Sequence, residues 1–330
     1  MNTRHLISAL ALLVSSNLAY AQTDSLPVGR CVNMGNHLEP PREGDWGRKI
    51  ADDDFTIIAR AGFDTIRLPV RWSAHAADKP PYTIKKSFMK RVKHLVKLAR
   101  DAELNVILDD HHYEELYAQP EKHAPRLAGL WKQIAAAFAD QPNDHLWFEI
   151  ENEPHDKLNH DNLLATLRPA LREIRTTNPD RPVIIGGELW SGINSLASLP
   201  LPNDPHIVPT FHYYDPFPFT HQGASWVDNP PPIGRKLGGK MDQEALKADV
   251  EKIRAYIART GKTPFMGEFG AIDSIPVDER VHYQKTVREA FDAVGIGMCA
   301  WGYTNTFPLY DSRAKKWLPG MLEAMGVKGK

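Results

Sequence analysis

The sequence predicts an α/β fold, a single (β/α)8 TIM barrel, and three observations support this prediction. Short apolar runs alternate eight times with helical stretches, which is the pattern of parallel strands joined by helices. A length of 330 residues suits one such barrel, and no Pro/Ser-rich linker divides the sequence. Polar residues collect where the apolar runs end, and barrel enzymes hold their active sites at that end of the strands.

The predicted elements follow from the length and spacing of the apolar residues. Each strand is a short apolar run bounded by turn residues, and the eight runs are residues 30–35, 63–69, 104–109, 146–150, 182–186, 206–212, 264–268 and 297–302. Five longer stretches between them carry apolar residues at helical spacing, namely residues 88–102, 127–139, 163–176, 243–259 and 278–294. Eight strand and helix units favour a closed barrel.

The first 21 residues are typical of an export signal. Arg4 precedes an apolar run, residues 6–14, and Ala19-Tyr20-Ala21 has the small-x-small pattern of a cleavage site. We therefore expect residues 1–21 to be removed and residues 22–330 to form the barrel domain of a secreted or periplasmic protein. No other stretch approaches the roughly 20 apolar residues of a membrane helix, so we expect no membrane association after cleavage.

Charge and cysteine content narrow the classes of partner. With 40 basic and 41 acidic residues the net charge is −1, so no positive excess favours nucleic acid. Cys31 and Cys299 lie in the predicted first and last strands, which are neighbours if the barrel closes. A disulfide could form in an oxidising compartment, but two buried free thiols are the simpler alternative and the one we favour. Neither spacing resembles a metal or thioredoxin motif.

Two predicted strands present a glutamate at or just after their carboxyl end. The run that ends at Ile150 is followed by Glu153, which precedes Pro154 and is therefore disfavoured from the helical region. A second run delivers Glu268 between two glycines. Glycoside hydrolysis needs this pair, one acid to protonate the leaving oxygen and one carboxylate to attack or to activate water. The alternative is that the two acids only cap helices.

Arg67 is a charge inside an apolar strand and must be paired. A guanidinium beside one carboxylate would hold that carboxylate ionised, which a nucleophile requires. The alternative is a structural ion pair with Asp64 or Glu149, and both interpretations can hold together.

His111 and His112 follow the acidic strand end Asp109-Asp110, so a metal site is the competing hypothesis. Barrel metallohydrolases also gather histidines and acids at strand ends. However, the first strand carries no His-x-His pair and no lysine ends the fourth, so the ligand set would be small. We therefore predict no metal and no cofactor, and expect both histidines to bond substrate hydroxyls or the carboxylates.

Aromatic residues follow the later strands. His212 and Tyr214 are two apart on one strand and should face the same side, where the tyrosine hydroxyl could orient Glu268. Trp301, at the end of the last strand, offers a flat apolar face that could stack on a sugar ring. Three further tryptophans in loops of the same face could line additional subsites, namely Trp46, Trp190 and Trp226. The alternative for each aromatic residue is packing alone.

Four segments together resemble glycoside hydrolase family 5, the retaining endoglucanase and mannanase family of clan A. They are LWFEIENEPH (146–155), ILDDHHY (107–113), HYYDPF (212–217) and MGEFG (266–270). Residues 33–39 with 44–47 are similar to the first loop of bacterial cellulases with mixed glucan and mannan activity, and residues 219–226 are similar to their sixth loop.

The resemblance implies a role for each matched residue. Glu153 would be the acid/base, Glu268 the nucleophile, and Asn152 a contact to the 2-hydroxyl. The supporting positions would be Arg67, His111, His112, His212, Tyr214 and Trp301, and the sugar contacts would be Asn36, Glu39, His221 and Trp226. Glu151 departs from the family pattern, because an apolar residue is usual there, and its charge would raise the pKa of Glu153.

The implied function is internal cleavage of β-1,4-glucosidic bonds in cellulose or related β-glucans by double displacement. An endo-β-1,4-mannanase or a dual enzyme is the second expectation. We expect a monomer whose partner is a β-1,4-linked polysaccharide or oligosaccharide. A metal-dependent barrel hydrolase and a noncatalytic sugar-binding barrel remain as alternatives of other classes.

Overall fold

A computed structural model describes residues 25–329, so the expected export signal lies outside the described residues. Eight parallel strands close into one barrel in chain order. They are β1 (Arg30–Asn33), β2 (Thr65–Val70), β3 (Asn105–Asp110), β4 (Leu146–Glu149), β5 (Val183–Gly186), β6 (Ile207–Tyr213), β7 (Phe265–Phe269) and β8 (Met298–Ala300). Every predicted strand is present, with bounds that differ by at most two residues. The predicted (β/α)8 barrel is therefore confirmed.

Helices surround the barrel. They are α1 (Asp54–Arg60), α2 (Lys86–Asp101), α3 (Glu114–Ala118), α4 (Pro120–Ala137), α5 (Leu163–Thr177), α6 (Phe217–Thr220), α7 (Lys240–Thr260), α8 (Val277–Asp292) and α9 (Met321–Ala324). The five predicted helices correspond to α2, α4, α5, α7 and α8. Helix α4 begins seven residues earlier than predicted, because Pro120 occupies its first turn, where a missing N–H costs little. A short antiparallel pair, β9 (Tyr310–Asp311) and β10 (Lys316–Trp317), follows the barrel.

The barrel is packed on both sides of its strands. Strand β2 is buried at every position, as expected for a parallel strand between an inner core and a helix layer. Eight residues form a separate inner cluster: Val28, Cys31, Ile107, Trp147, Ile184, Val208, Phe265 and Cys299. Among residues 25–329, no helix is both long and apolar enough to cross a bilayer.

Cys31 and Cys299 form a disulfide, so the expectation of two free thiols is wrong. The reason is the closure of the barrel, which pairs β1 with β8 in a register that sets these two residues directly opposite each other. Their Cα atoms are 4.1 Å apart. The bond therefore joins the first strand to the last, 268 residues away in the sequence.

Candidate active site

Two glutamates approach each other at the carboxyl ends of β4 and β7. Glu268 lies in β7, and Glu153 lies four residues after the end of β4. One carboxylate oxygen of each lies within 4.8 Å of the other. His212 lies between them, with Nδ1 2.6 Å from Glu153 Oε1 and 3.7 Å from Glu268 Oε2. A register shift between Phe211 and His212 pairs His212 with Glu268 across β6 and β7.

Arg67, which is fully buried in β2, joins the two strand ends. Its Nε and Nη2 donate to the two oxygens of Glu149 at 2.7 and 2.9 Å, and its Nη1 donates to Glu268 Oε1 at 2.7 Å. Nη2 also donates to Asn152 Oδ1 at 2.6 Å. The structural pair with Glu149 and the contact with Glu268 therefore occur together. Asp64 is not a partner, because it accepts from the Arg30 backbone N–H and the Thr65 hydroxyl.

Each oxygen of Glu268 accepts one hydrogen bond. Arg67 donates to Oε1, and the Tyr214 hydroxyl donates to Oε2 at 2.8 Å. The prediction that His212 and Tyr214 face the same side is confirmed, since both reach the glutamate pair. These two bonds fix the plane of the Glu268 carboxylate.

Burial shifts the ionisation of both glutamates, and the charge of Arg67 acts against this shift in each. Burial raises the pKa of Glu153 to about 7. Burial also raises the pKa of Glu268, while Arg67 and the Tyr214 hydrogen bond act to lower it. The pKa of His212 falls to about 4, chiefly through burial. Near neutral pH, Glu153 can therefore hold a proton beside a neutral imidazole.

The loops after β1 and β3 meet Trp301, which follows β8. Glu39 is buried and accepts from the backbone N–H groups of Asn36, His37 and Leu38 at 2.6, 2.9 and 3.0 Å. The Trp301 ring lies parallel to the His111 ring, with centroids 5.5 Å apart. A Cβ at Gly35 would lie 2.5 Å from the Trp301 ring, so glycine is required there.

A second aromatic group follows β6 and also contacts the loop after β8, since Phe307 lies against His221 and Trp226. The Tyr214 ring contacts His221, with centroids 5.1 Å apart, and His221 faces Trp226 at 6.3 Å. Trp226 is 56% exposed, so its ring is available to a ligand. Tyr214, His221 and Trp226 therefore extend the site outward from Glu268.

Several contacts were not predicted from the sequence. Asn33 accepts from Arg67 Nη1 at 3.0 Å, and Asp109 lies 3.0 Å from Arg67 Nη2. Glu151 does not keep the alternation of β4, because the strand ends at Glu149, and its carboxylate accepts from the Tyr117 hydroxyl at 2.5 Å. The sequence marked Glu151 only as a departure from the family pattern and could not assign the direction of its side chain.

The sequence places Trp190 in a loop that could line a further subsite, and in the structure its ring packs against His155. Its ring lies parallel to that of His155, with centroids 5.0 Å apart, and it is 53% exposed. Its backbone N–H donates to the Pro154 carbonyl at 3.1 Å. Trp190 therefore adjoins the segment that carries Glu153.

The chain is similar to known proteins over most of its length. Residues 29–306 match the family described as Cellulase (glycosyl hydrolase family 5). Endoglucanase H of Acetivibrio thermocellus is 30% identical over 275 residues, which cover 83% of this chain and 29% of that protein. Cellulase/esterase CelE of the same organism is 27% identical over 327 residues, with coverage of 89% and 38%. The chain thus spans less than half the length of these two relatives.

Solved structures share the fold. A hyperthermophilic endo-β-1,4-glucanase in complex with substrate is 43% identical, with a TM-score of 0.88 and coverage of 91% of this chain and 97% of the other. Cel5A of Thermotoga maritima in complex with mannotriose is 39% identical, with a TM-score of 0.87 and coverage of 90% and 97%. Since the family match covers most of the described barrel and the fold agrees with these endoglucanases, this chain belongs to glycosyl hydrolase family 5, the cellulase family.

Proposed function

We propose that this chain is a retaining endo-β-1,4-glucanase that cleaves internal bonds of cellulose or related β-glucans by double displacement. The observation that carries the proposal is the short separation of Glu153 and Glu268, whose nearest oxygens lie within 4.8 Å. Retaining pairs are roughly 5 to 5.5 Å apart, whereas inverting pairs leave roughly 6.5 to 9.5 Å for a water molecule. The spacing therefore supports direct attack by a carboxylate.

In the first step, the Glu268 carboxylate attacks the anomeric carbon while Glu153 protonates the departing glycosidic oxygen. The carbon–oxygen bond to the leaving sugar breaks as the bond to Glu268 forms. Burial supports the acid role by raising the pKa of Glu153 to about 7. Arg67 and Tyr214 hold the two oxygens of Glu268, so one lone pair can be aimed at the sugar without reorganisation.

In the second step, water attacks the same carbon and Glu153, now ionised, accepts the proton from this water. The bond to Glu268 breaks, and the product keeps its original anomeric configuration. His212 stays within hydrogen-bond distance of Glu153 and can orient its carboxyl group in both steps. Asn152, held by Arg67, is the proposed contact to the 2-hydroxyl.

Two groups of residues are proposed to bind the sugar. Glu39, Asn36 and the two histidines of the β3 end would bind hydroxyl groups beside the stacking face of Trp301. His221 and Trp226 would contact sugar rings beside Tyr214. A mannanase or dual activity is the second candidate, because a relative with 39% identity was solved in complex with mannotriose.

The test is the release of reducing ends from carboxymethylcellulose, glucomannan and galactomannan by the purified protein. An endo-acting enzyme should lower the viscosity of carboxymethylcellulose faster than it releases reducing ends. Glu153→Gln and Glu268→Gln should each abolish hydrolysis, and a chelator should leave wild-type activity intact. Chelator-sensitive activity would favour a metallohydrolase, and sugar binding without hydrolysis would favour a noncatalytic barrel.

The role of each glutamate has a separate test. A fluorosugar that traps the glycosyl-enzyme should label Glu268, and proton NMR should show the β-anomer as the first product. Glu153→Ala should keep activity on substrates with good leaving groups, because these need no protonation. Labelling of another carboxylate, or an inverted first product, would refute the assignment.

We further propose that the protein is exported, with cleavage after Ala21, and acts as a monomer in the periplasm or outside the cell. The Cys31–Cys299 disulfide supports an oxidising compartment. The N-terminal sequence of protein recovered from the periplasm or medium tests the cleavage. Light scattering coupled to gel filtration tests the monomer.

A further inference from the structure

Three side chains with metal-ligand chemistry converge beside Trp301. Glu39, His111 and His112 each offer one oxygen or nitrogen, and these three atoms lie within 4.8 Å of one another. Two imidazoles and one carboxylate suit borderline divalent ions such as Zn²⁺ and Cu²⁺. We call these three residues the His-His-Glu group.

Asp109 orients His111 for such a role. His111 Nδ1 lies 2.5 Å from Asp109 Oδ2, and the Asp109 side chain is fully buried. When Asp109 is ionised, His111 donates from Nδ1 and keeps the lone pair on Nε2 free. A carboxylate that fixes the tautomer of a histidine in this way is the usual outer partner of a metal-binding histidine.

His112 joins the group because of its backbone conformation. Both histidines follow the end of β3 at Asp110, where the alternation of strand side chains no longer applies. His112 has φ of 58°, and the two rings lie with centroids 4.5 Å apart. A non-glycine residue in this left-handed region carries a conformational cost, which the surrounding structure must offset. Its side chain is 36% exposed, which opens the group to solvent.

Glu39 is held rigidly but keeps capacity for a ligand. Its carboxylate accepts three backbone N–H groups, and a carboxylate has about four lone-pair positions.

We propose that Glu39, His111 and His112 bind one divalent transition-metal ion, with Zn²⁺ as the reference ligand, and that this ion blocks sugar binding beside Trp301. Three protein ligands leave a fourth position for water, as in zinc sites with an open coordination position. The ion is an inhibitor and takes no part in hydrolysis. The blocking effect rests on the proposed function, whereas the metal binding does not.

A second set of donors lies close by and must be distinguished. Glu153, His212 and Glu268 also bring ligand atoms within 4.8 Å. This set has one imidazole, and its Nδ1 lies 2.6 Å from Glu153 Oε1. The other nitrogen, Nε2, would lie 2.9 Å from a Cβ at Gly267, so the strand backbone closes that side. The His-His-Glu group is therefore the better ligand set.

The test is isothermal titration of Zn²⁺ into the full chain carrying Glu153→Gln and Glu268→Gln. These substitutions remove the second set of donors and prevent turnover. We expect one zinc per chain, and we expect His111→Ala or His112→Ala in this background to weaken binding about tenfold or more. His155→Ala is the matched control, because His155 lies beside Glu153 and outside the group, and it should leave zinc affinity unchanged.

Three further results decide the proposal. Electron paramagnetic resonance of bound Cu²⁺ should show nitrogen coupling that is reduced in each histidine variant, and thermal unfolding confirms that the variants are folded. Saturating cellotriose should weaken zinc binding, and zinc should raise the KM of the wild-type enzyme without lowering kcat. Zinc affinity that stays at the value of the Glu153→Gln/Glu268→Gln background in both histidine variants would overturn the site. Zinc affinity that does not change with cellotriose would overturn the claim that zinc blocks sugar binding. That result would not bear on the proposed hydrolytic function.

Discussion

Arg67→Lys should destabilise the barrel and slow hydrolysis together. Arg67 donates five hydrogen bonds to buried acceptors, two to Glu149 and one each to Glu268, Asn33 and Asn152. Lysine has three donors, so at least two of these acceptors lose their partner. Each buried group left unsatisfied costs about 1–3 kcal/mol, so the free energy of unfolding should fall by about 2–6 kcal/mol.

Activity should fall because Glu268 Oε1 loses a fixed, charged donor. A hydrogen bond to a charged group is worth about 1.5–3 kcal/mol, which corresponds to a loss of about 10- to 100-fold in kcat/KM. Urea unfolding followed by circular dichroism measures the stability, and initial rates on carboxymethylcellulose at a temperature where the variant is folded measure the activity.

Arg181→Lys is a matched control. Arg181 is also fully buried and also donates five hydrogen bonds, but it lies before β5, at the opposite end of the barrel. The Arg181→Lys variant should lose about as much free energy of unfolding as Arg67→Lys, and its kcat/KM should equal that of wild type. The reasoning is refuted if Arg67→Lys unfolds within about 1 kcal/mol of wild type, or if both variants lose the same activity.

Three other outcomes are expected. The value of kcat/KM should fall above about pH 7, because Glu153 must be protonated and burial raises its pKa to about 7. A pH profile of kcat/KM that begins to fall only above pH 9 would contradict this. Burial raises the pKa of Glu151 well above its usual value, so the folded state binds more protons than the unfolded state above about pH 4.5. The stability that the neutral Glu151 contributes is therefore lost as pH rises. In urea titrations, the free energy of unfolding of Glu151→Gln should rise relative to that of wild type between pH 5 and pH 8, by up to about 1.4 kcal/mol per pH unit. A difference between the two proteins that is equal at pH 5 and pH 8 would contradict this. Replacing Cys31 and Cys299 together by alanine should lower the free energy of unfolding by roughly 5 kcal/mol without changing kcat, because the disulfide closes a 268-residue loop. Dithiothreitol should then lower the melting temperature of wild type only, and an equal fall in the variant would contradict the role of the disulfide.

Sequence periodicity was sufficient for the barrel and for most of the site. Each strand has three to seven residues, and such short apolar runs are recognisable because both faces of a parallel strand are buried. The acids and aromatics at the strand ends could be assigned to one face, since all strand ends of a parallel barrel open together. Pro154 marked Glu153 as the residue at a strand tip.

Contacts between distant segments could not be predicted in the same way. The pairing of Cys31 with Cys299 depends on the register between β1 and β8, which no local pattern encodes. The direction of Glu151 depends on where β4 stops, because alternation of side chains holds only within a strand. The convergence of His111 and His112 depends on one left-handed residue.

The sequence by itself determined the kinds of group that this protein brings to its catalytic face: two strand-end glutamates, a buried arginine, and the histidines and aromatics that follow the strands. Only the tertiary structure decided the distances between them. In the structure, Arg67 forms ion pairs with both Glu149 and Glu268, and carboxylate oxygens of Glu153 and Glu268 lie within 4.8 Å of each other. The physical reason is that burial and periodicity are local properties of a chain, whereas the separation of two side chains 115 residues apart is set by the closure and register of the whole barrel.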